Sequence, residues 1–361
     1  MPDNVALFAM AGGGTGGHVI PAIAVARHLV AAGCEVVFVG TERGAEGRLV
    51  PAAGFELRKI RVGGLKNLGP VTRIVSLWRL LVSFVGQWVW FGQAKPAAVF
   101  SMGGYVAGPV VLAALARRVP VVVMEPNAVP GVTNRWISKW VRQALVSFAE
   151  TAKYFPPGRT EVTGLPVREE FFSVPPKTAG GVFTVLITGG SQGSKTLNEA
   201  ARASWPLFQE AGLNVRMILQ AGTAMHAALA GEFAGSGMEG EVTEFISDMP
   251  AAFCEADLIV CRAGAGAVAE LAAAGKPAML VPFPFAADDH QLKNAEAMER
   301  VGAAMLSRDA EWTGQRLFEV VAAAMREPGR LREMGEKARG MARPGAAQRA
   351  AEILLEAGME Q

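Results

Sequence analysis

The stretch "AGGGTGGHVIPA", residues 11–22, follows the short apolar run "VALFAM" and leads into the apolar-periodic segment "VIPAIAVARHLVAAG". The order is strand, glycine loop, helix. Glycines in such a turn let backbone N–H groups approach a phosphate, and the helix N-terminus behind them favours negative charge. Gly12, Gly14 and Gly17 fit G-x-G-x-x-G, the dinucleotide fingerprint, which alone is a weak signal. A dinucleotide enzyme also wants an acid closing the second strand. Here "VVFVGTERG" puts Gly40 and Thr41 at that point, with Glu42 slightly late.

Working outward, "EVVFVG", "PAAVFSMGG" and "VPVVVMEPN" are further apolar strands separated by helical stretches. The pattern restarts near residue 182 with "VFTVLITGGSQGSKTLNEAA", again strand, glycine loop, helix, followed by the strands "NVRMILQAG", "ADLIVCRAG" and "KPAMLVPF". Alternating strands and helices imply parallel sheets with right-handed crossovers. The second loop, "GGSQGSK", lacks the spacing of a Walker A sequence. Between the halves, "LPVREEFFSVPPKTAGG" has the prolines and glycines of a linker. The expected fold is α/β, with two Rossmann-like, doubly wound parallel-sheet domains facing each other across a cleft. The boundaries read as 1–164 and 165–340, with a C-terminal helix at 341–361 that could pack back on the N-terminal domain.

Bulk properties agree. A chain of 361 residues suggests two domains at roughly 150 residues each. A net charge of +2 excludes a nucleic-acid coat. Cys34, Cys254 and Cys261 form no CxxC pair, which fits a reducing compartment. His18, His28, His226 and His290 are scattered, and no His/Cys cluster has metal-ligand spacing. The N-terminus carries Asp3 and a short apolar run, and reads as a first strand, not a signal peptide. The segment Ile74–Phe91 is strongly apolar, but Ser76, Arg79, Ser83 and Gln87 recur every three or four positions. They form one polar stripe on a helix otherwise covered by Leu, Val, Phe and Trp. Such a helix is either buried in the domain or docked by one face on a bilayer; a membrane span is the weakest alternative.

Polar residues gather where apolar strands end, the usual place for chemistry. Glu125 and Asn127 follow one strand, Arg262 another with Glu270 in the next helix, and Asp288, Asp289, His290 and Gln291 a third.

Together with "GLK" (64–66), "SMGGYVAGP", "EPNAVPGVTNRW", "GLPVR", "GGSQGS", "VTEFISDM", "CRAGAGAVAELAAAGKPAMLVPF" and "DDHQLKNA", these stretches resemble the MurG family of GT-B glycosyltransferases, in the family's order. The resemblance implies UDP-GlcNAc as donor and undecaprenyl-diphospho-MurNAc-pentapeptide as acceptor. The acceptor 4-hydroxyl attacks with inversion, UDP leaves, and neither a cofactor nor a metal is implied. Thr15, Gly16 and Gly17 then belong to the reaction-centre loop, with Gly14 and Tyr105 on the acceptor side. Asn127 touches the donor sugar, Arg168 the donor side and Ser191 the phosphates. Ile246 holds uracil through its backbone. Ala265, Gly266, Ala267, Val268, Ala269 and Glu270 cradle the nucleotide, with Glu270 on the ribose, and Gln291 binds GlcNAc hydroxyls. Pro126, Leu165, Ala263, Ala267 and Ala269 depart from residues common in the family.

A histidine's ordinary pKa, about 6.5, suits proton transfer. His18 is therefore a candidate base, with Glu125 as its rival. The family reading places the chain at the cytoplasmic face of the bacterial inner membrane, peripherally bound to anionic lipid. Arg73, Arg79 and Trp78, Trp88 and Trp90 would contribute, with Arg135, Lys139, Arg142, Trp136 and Trp140 at helical spacing. Cell-wall synthesis and division proteins are implied partners. The competing readings are another UDP-sugar GT-B transferase, a non-catalytic sugar-nucleotide-binding protein and an NAD-binding oxidoreductase.

Overall fold

The computed structural model describes residues 5–62, 70–177 and 180–359. "GLK" at 64–66 and the side chain of Arg73 lie outside the described residues. The chain divides into two compact units, one of Met1–Val167 with Gly345–Gln361, the other of Arg168–Pro344.

The first unit holds β1 (Leu7–Ala11), β2 (Glu35–Gly40), β3 (Glu56–Lys59), β4 (Ala98–Ser101), β5 (Val121–Glu125), β6 (Gln143–Val146) and β7 (Thr160–Glu161), all parallel, in the order β3-β2-β1-β4-β5-β6-β7. Its helices are α1 (Gly16–Ala31), α2 (Ala45–Ala52), α3 (Pro70–Ala94), α4 (Gly104–Ala116) and α5 (Val132–Ile137). The second unit repeats the plan with β8 (Phe183–Thr188), β9 (Val215–Gln220), β10 (Glu239–Thr243), β11 (Leu258–Cys261), β12 (Ala278–Leu280) and β13 (Met305–Leu306), in the order β10-β9-β8-β11-β12-β13. Around it lie α6 (Lys195–Glu210), α7 (His226–Ala234), α8 (Met249–Glu255), α9 (Ala265–Ala274), α10 (His290–Arg300), α11 (Gly314–Arg326) and α12 (Pro328–Met341).

In each unit the strand order reverses once, between β1 and β4 and between β8 and β11. Loops leaving such a pair of strands part to opposite sides and open a crevice at the carboxyl ends of the strands. Both glycine loops start there. The central strands are apolar on both faces because helices cover both: β5 is Val-Val-Val-Met-Glu, buried throughout. Val99, Val110, Val121 and Val123 share one core, and Leu197, Trp205, Phe208, Met217 and Leu258 share the other. The segment read as a linker is partly core: Phe171 is fully buried and meets Phe253 edge-on at 5.1 Å.

A final helix, α13 (Ala346–Met359), packs on α1 and β4 in the first unit. It buries Ala350, Ile353 and Leu354. Arg349 grips Glu161 of β7 bidentately, Nε to Oε1 at 2.7 Å and Nη2 to Oε2 at 3.0 Å.

Helix α3 is patterned the other way round from an ordinary surface helix. Three members of its polar stripe face inward: Ser76 is 7% exposed, Ser83 7% and Gln87 3%. The Ser83 hydroxyl donates to the Arg61 carbonyl at 3.2 Å. Its outer face is apolar, with Trp78 64% exposed, Val82 53% and Leu81 50%. Arg79 is exposed among them. The second basic-aromatic stretch does not keep helical spacing. α5 stops at Ile137, a 3-10 turn follows over Ser138–Trp140, and Arg142 precedes a strand, although Trp136 and Trp140 are exposed. The physical reason is the following strand: Val141 is already extended, and the Arg142 N–H donates to the Val121 carbonyl.

Candidate active site

In the first unit, three loops meet beside the β1/β4 reversal. Residues 12–15 leave β1, with Thr15 as the N-cap of α1 and no side-chain cap bond. Gly16, Gly17 and His18 form the first helical turn. Gly14 is left-handed at φ +91°, and a Cβ on it would lie 3.5 Å from Tyr105 Cε1. After β4, Gly103 and Gly104 both have positive φ, and a Cβ on Gly104 would lie 3.7 Å from His18 Nδ1 and from the Gly13 carbonyl. So Gly14, Tyr105 and His18 share one edge. Nδ1 of His18 lies 3.2 Å from the Gly13 carbonyl oxygen.

Glu125 ends β5 on the same edge, but its carboxylate turns into its own loop. Oε1 accepts the Asn127 N–H at 3.0 Å and Asn127 Nδ2 at 3.1 Å. Oε2 accepts the Gly131 N–H at 3.0 Å and Asn134 Nδ2 at 2.9 Å. Burial pushes this carboxyl above its ordinary range, and the four donors oppose that shift. The arrangement holds residues 126–131 in shape and fixes Asn127.

In the second unit, residues 189–194 leave β8 and stack tightly on the loop after β9. A Cβ on Gly193 (φ +72°) would lie 2.1 Å from the Ala221 carbonyl oxygen, so no other residue fits there. Ser191 is exposed in this loop. Ser194 caps α6, its hydroxyl oxygen accepting the Leu197 N–H. Gln220, at the end of β9, ties two loops together. Its Nε2 donates to the Gly190 carbonyl at 2.8 Å, and its Oε1 accepts the Ile246 N–H at 2.9 Å.

Beyond β11, Arg262 donates to the Ser194 hydroxyl at 2.7 Å, to the Val281 carbonyl at 3.0 Å and to Asp309. Ala265, Gly266 and Ala267 form the first turn of α9, whose N-cap, Gly264, offers no side chain. Uncapped N–H groups at a helix start suit an anion. Glu270 lies one turn on from Gly266 and is partly buried. Burial pushes its carboxyl up to about 7, and the charge of Arg168 opposes this. The Arg168 guanidinium lies 4.9 Å from the centre of the Phe171 ring. Gln291 Oε1 accepts the Phe283 N–H at 3.0 Å and so braces the loop after β12.

The structure therefore gathers the named residues into two sets. Gly14, Thr15, Gly16, Gly17, His18, Tyr105, Glu125 and Asn127 lie on the first unit. Arg168, Ser191, Ile246, Ala265–Glu270 and Gln291 lie on the second. Sequence reasoning missed Gln220, Asn134, Asp309 and Glu46, which hold loops in place. For Gln220 the available signal was a polar residue closing an apolar strand ("VRMILQ"); the other three carried no local signal.

Two parallel sheets with a glycine loop at each reversal define the class, a pair of Rossmann-like, doubly wound α/β domains. The N-terminal domain of glycosyltransferase family 28 matches residues 8–146, and its C-terminal domain matches 184–350. A Solibacter usitatus protein is 61% identical over 99% of this chain and 97% of its own length. One from Myxococcus xanthus is 38% identical over 96% and 92%. Both are named UDP-N-acetylglucosamine–N-acetylmuramyl-(pentapeptide) pyrophosphoryl-undecaprenol N-acetylglucosamine transferase. The crystal structure of Acinetobacter baumannii MurG superposes with a TM-score of 0.82, at 34% identity over 97% of this chain and 99% of that one. The chain belongs to the MurG family of glycosyltransferase family 28. The oxidoreductase alternative falls with that membership. The first loop's fingerprint is a strand-to-helix glycine turn, which does not by itself specify a dinucleotide.

Proposed function

We propose that this chain moves GlcNAc from UDP-GlcNAc to the 4-hydroxyl of MurNAc in undecaprenyl-diphospho-MurNAc-pentapeptide, turning lipid I into lipid II. The observation that carries this reading is the end-to-end identity of 61% to the Solibacter transferase, which leaves neither half of the site outside the match. The second unit takes the donor. The amides of residues 189–194 and the start of α9 meet the diphosphate, the Ile246 carbonyl meets the base and Glu270 meets the ribose hydroxyls. The first unit supplies the proton acceptor. The acceptor O4–H gives its proton to His18 Nε2 as O4 bonds to the anomeric carbon and the bond from that carbon to the phosphate oxygen breaks. UDP leaves with the electron pair, its charge met by preorganised N–H donors. Glu125, with both oxygens already accepting two N–H donors each, positions Asn127 and does not take the proton.

The acceptor is a lipid, so the first unit must reach a bilayer surface. Among the described residues no helix is long and apolar enough to cross a membrane. The outward apolar face of α3 supports peripheral docking. Arg117 stacks on Trp88 at 3.8 Å and Arg58 on Trp90 at 4.7 Å, a basic and aromatic mixture suited to an anionic interface on the cytoplasmic side.

The test is transfer of labelled GlcNAc from UDP-GlcNAc to a short-chain lipid I analogue with EDTA present. Product is expected. Tight UDP-GlcNAc binding with no transfer to that acceptor would overturn the lipid II assignment.

A further inference from the structure

Behind the first glycine loop lies a buried carboxylate that the transfer steps above leave unused. Glu46, near the start of α2, is 0% exposed. Three glycines clear the space it fills. A Cβ on Gly13 would lie 2.4 Å from Glu46 Cδ, one on Gly40 2.5 Å from Cγ and one on Gly44 2.2 Å from Oε2. Its oxygens are met by donors. Oε1 accepts the Thr41 N–H at 2.9 Å and the Thr41 hydroxyl at 2.6 Å, and Oε2 accepts the Gly14 N–H at 2.8 Å. Burial alone would raise its pKa, but these donors outweigh it and hold the carboxyl below its ordinary value. Glu46 is therefore an anion at neutral pH.

The N–H of Gly14 and the C=O of Gly13 belong to one planar peptide group. Its N–H donates to Glu46, and its oxygen lies 3.2 Å from His18 Nδ1. A carbonyl oxygen carries no proton, so a hydrogen bond there requires Nδ1–H. The lone pair of neutral His18 then sits on Nε2. An ionised acceptor on the N–H side strengthens the same amide as an acceptor on its C=O side.

We propose that Glu46 is a positioning residue that sets the tautomer and orientation of His18 through the Gly13–Gly14 peptide. Its effect on rate rests on the reading of His18 as base; its effect on the imidazole does not. A carboxylate is needed because all the groups facing it are donors. A glutamine would turn its NH2 toward the N–H of either Gly14 or Thr41.

The test uses the full-length protein with 15N-labelled histidine at about pH 8, where an ordinary imidazole is neutral. His18 is assigned by its absence in His18→Ala. The wild type should show Nδ1–H. Glu46→Gln should move His18 toward Nε2–H and lower kcat by about tenfold or more, leaving UDP-GlcNAc affinity within about twofold. A wild-type Nε2–H pattern overturns the proposal without any variant, so a poorly folding Glu46→Gln does not shelter it. An unchanged tautomer in Glu46→Gln overturns it as well. A changed tautomer with unchanged kcat supports the positioning role and sinks the base reading instead.

Discussion

Gln220 holds Ile246 by its N–H while its other end holds the Gly190 carbonyl, so one buried amide sets the distance between two loops of the second unit. Gln220→Leu keeps the approximate size and removes both bonds. Loss of a buried hydrogen-bond partner costs about 1–3 kcal/mol. KM for UDP-GlcNAc should rise about tenfold, with kcat at saturation little changed. Steady-state kinetics decide it: an unchanged KM means the two loops keep their places without this bridge.

Under the proposed function, Glu270 should make donor binding depend on pH. Its folded pKa, about 7, is raised from 4.5, so the folded chain binds more protons than the unfolded one between those values. The group therefore costs stability increasingly as pH rises from about 4.5, and the cost is complete above about 7. Binding should run the opposite way, because in the proposed donor complex it is the ionised form that accepts from ribose hydroxyls. Affinity for UDP-GlcNAc should tighten by up to about tenfold from about pH 6 to about pH 8, and Glu270→Gln should flatten that slope. Calorimetry at the two pH values checks it, and an equal slope in the variant removes Glu270 from the ribose.

His18 and Glu125 should separate by what each variant loses. His18→Ala should lower kcat by about 10²–10⁴ with the melting temperature nearly unchanged. Glu125→Leu should lower both, because it strands the donors of Asn127, Gly131 and Asn134 at about 1–3 kcal/mol each. A drop below tenfold for His18→Ala at unchanged KM would withdraw the base role.

The outward face of α3 should behave as a lipid contact. Leu81→Asp with Val82→Asp changes exposed positions, so stability should move by no more than about 0.5 kcal/mol each. Sedimentation with anionic vesicles should fall about tenfold or more, from lost apolar burial and added negative charge. Wild-type binding should weaken with salt. Full vesicle binding by the double variant would move the docking surface elsewhere.

The central strands and both glycine loops were legible because strands buried on two faces are written as unbroken apolar runs. Strands β3 ("ELRK") and β10 ("EGEVT") lie at sheet edges, half-exposed and polar, and carry no such run. The stripe on α3 was visible, but its period could not say which face turns inward. Tertiary packing decides that, and Ser83 finds its partner in Arg61, outside the helix. Glu46 reads in sequence as an ordinary helix-opening acid. Its burial depends on Gly13, Gly40 and Gly44 arriving from three separate segments, which no local pattern announces.

Because α13 closes the first unit, that unit is discontinuous in the chain: its seventh strand and its final helix are separated by the whole of the second unit. On the ribosome the first sheet must wait, with the apolar side of α1 uncovered, until the second unit has been made. The second unit can fold as an uninterrupted insert. Only when α13 has been made can Arg349 meet Glu161 and that surface be covered.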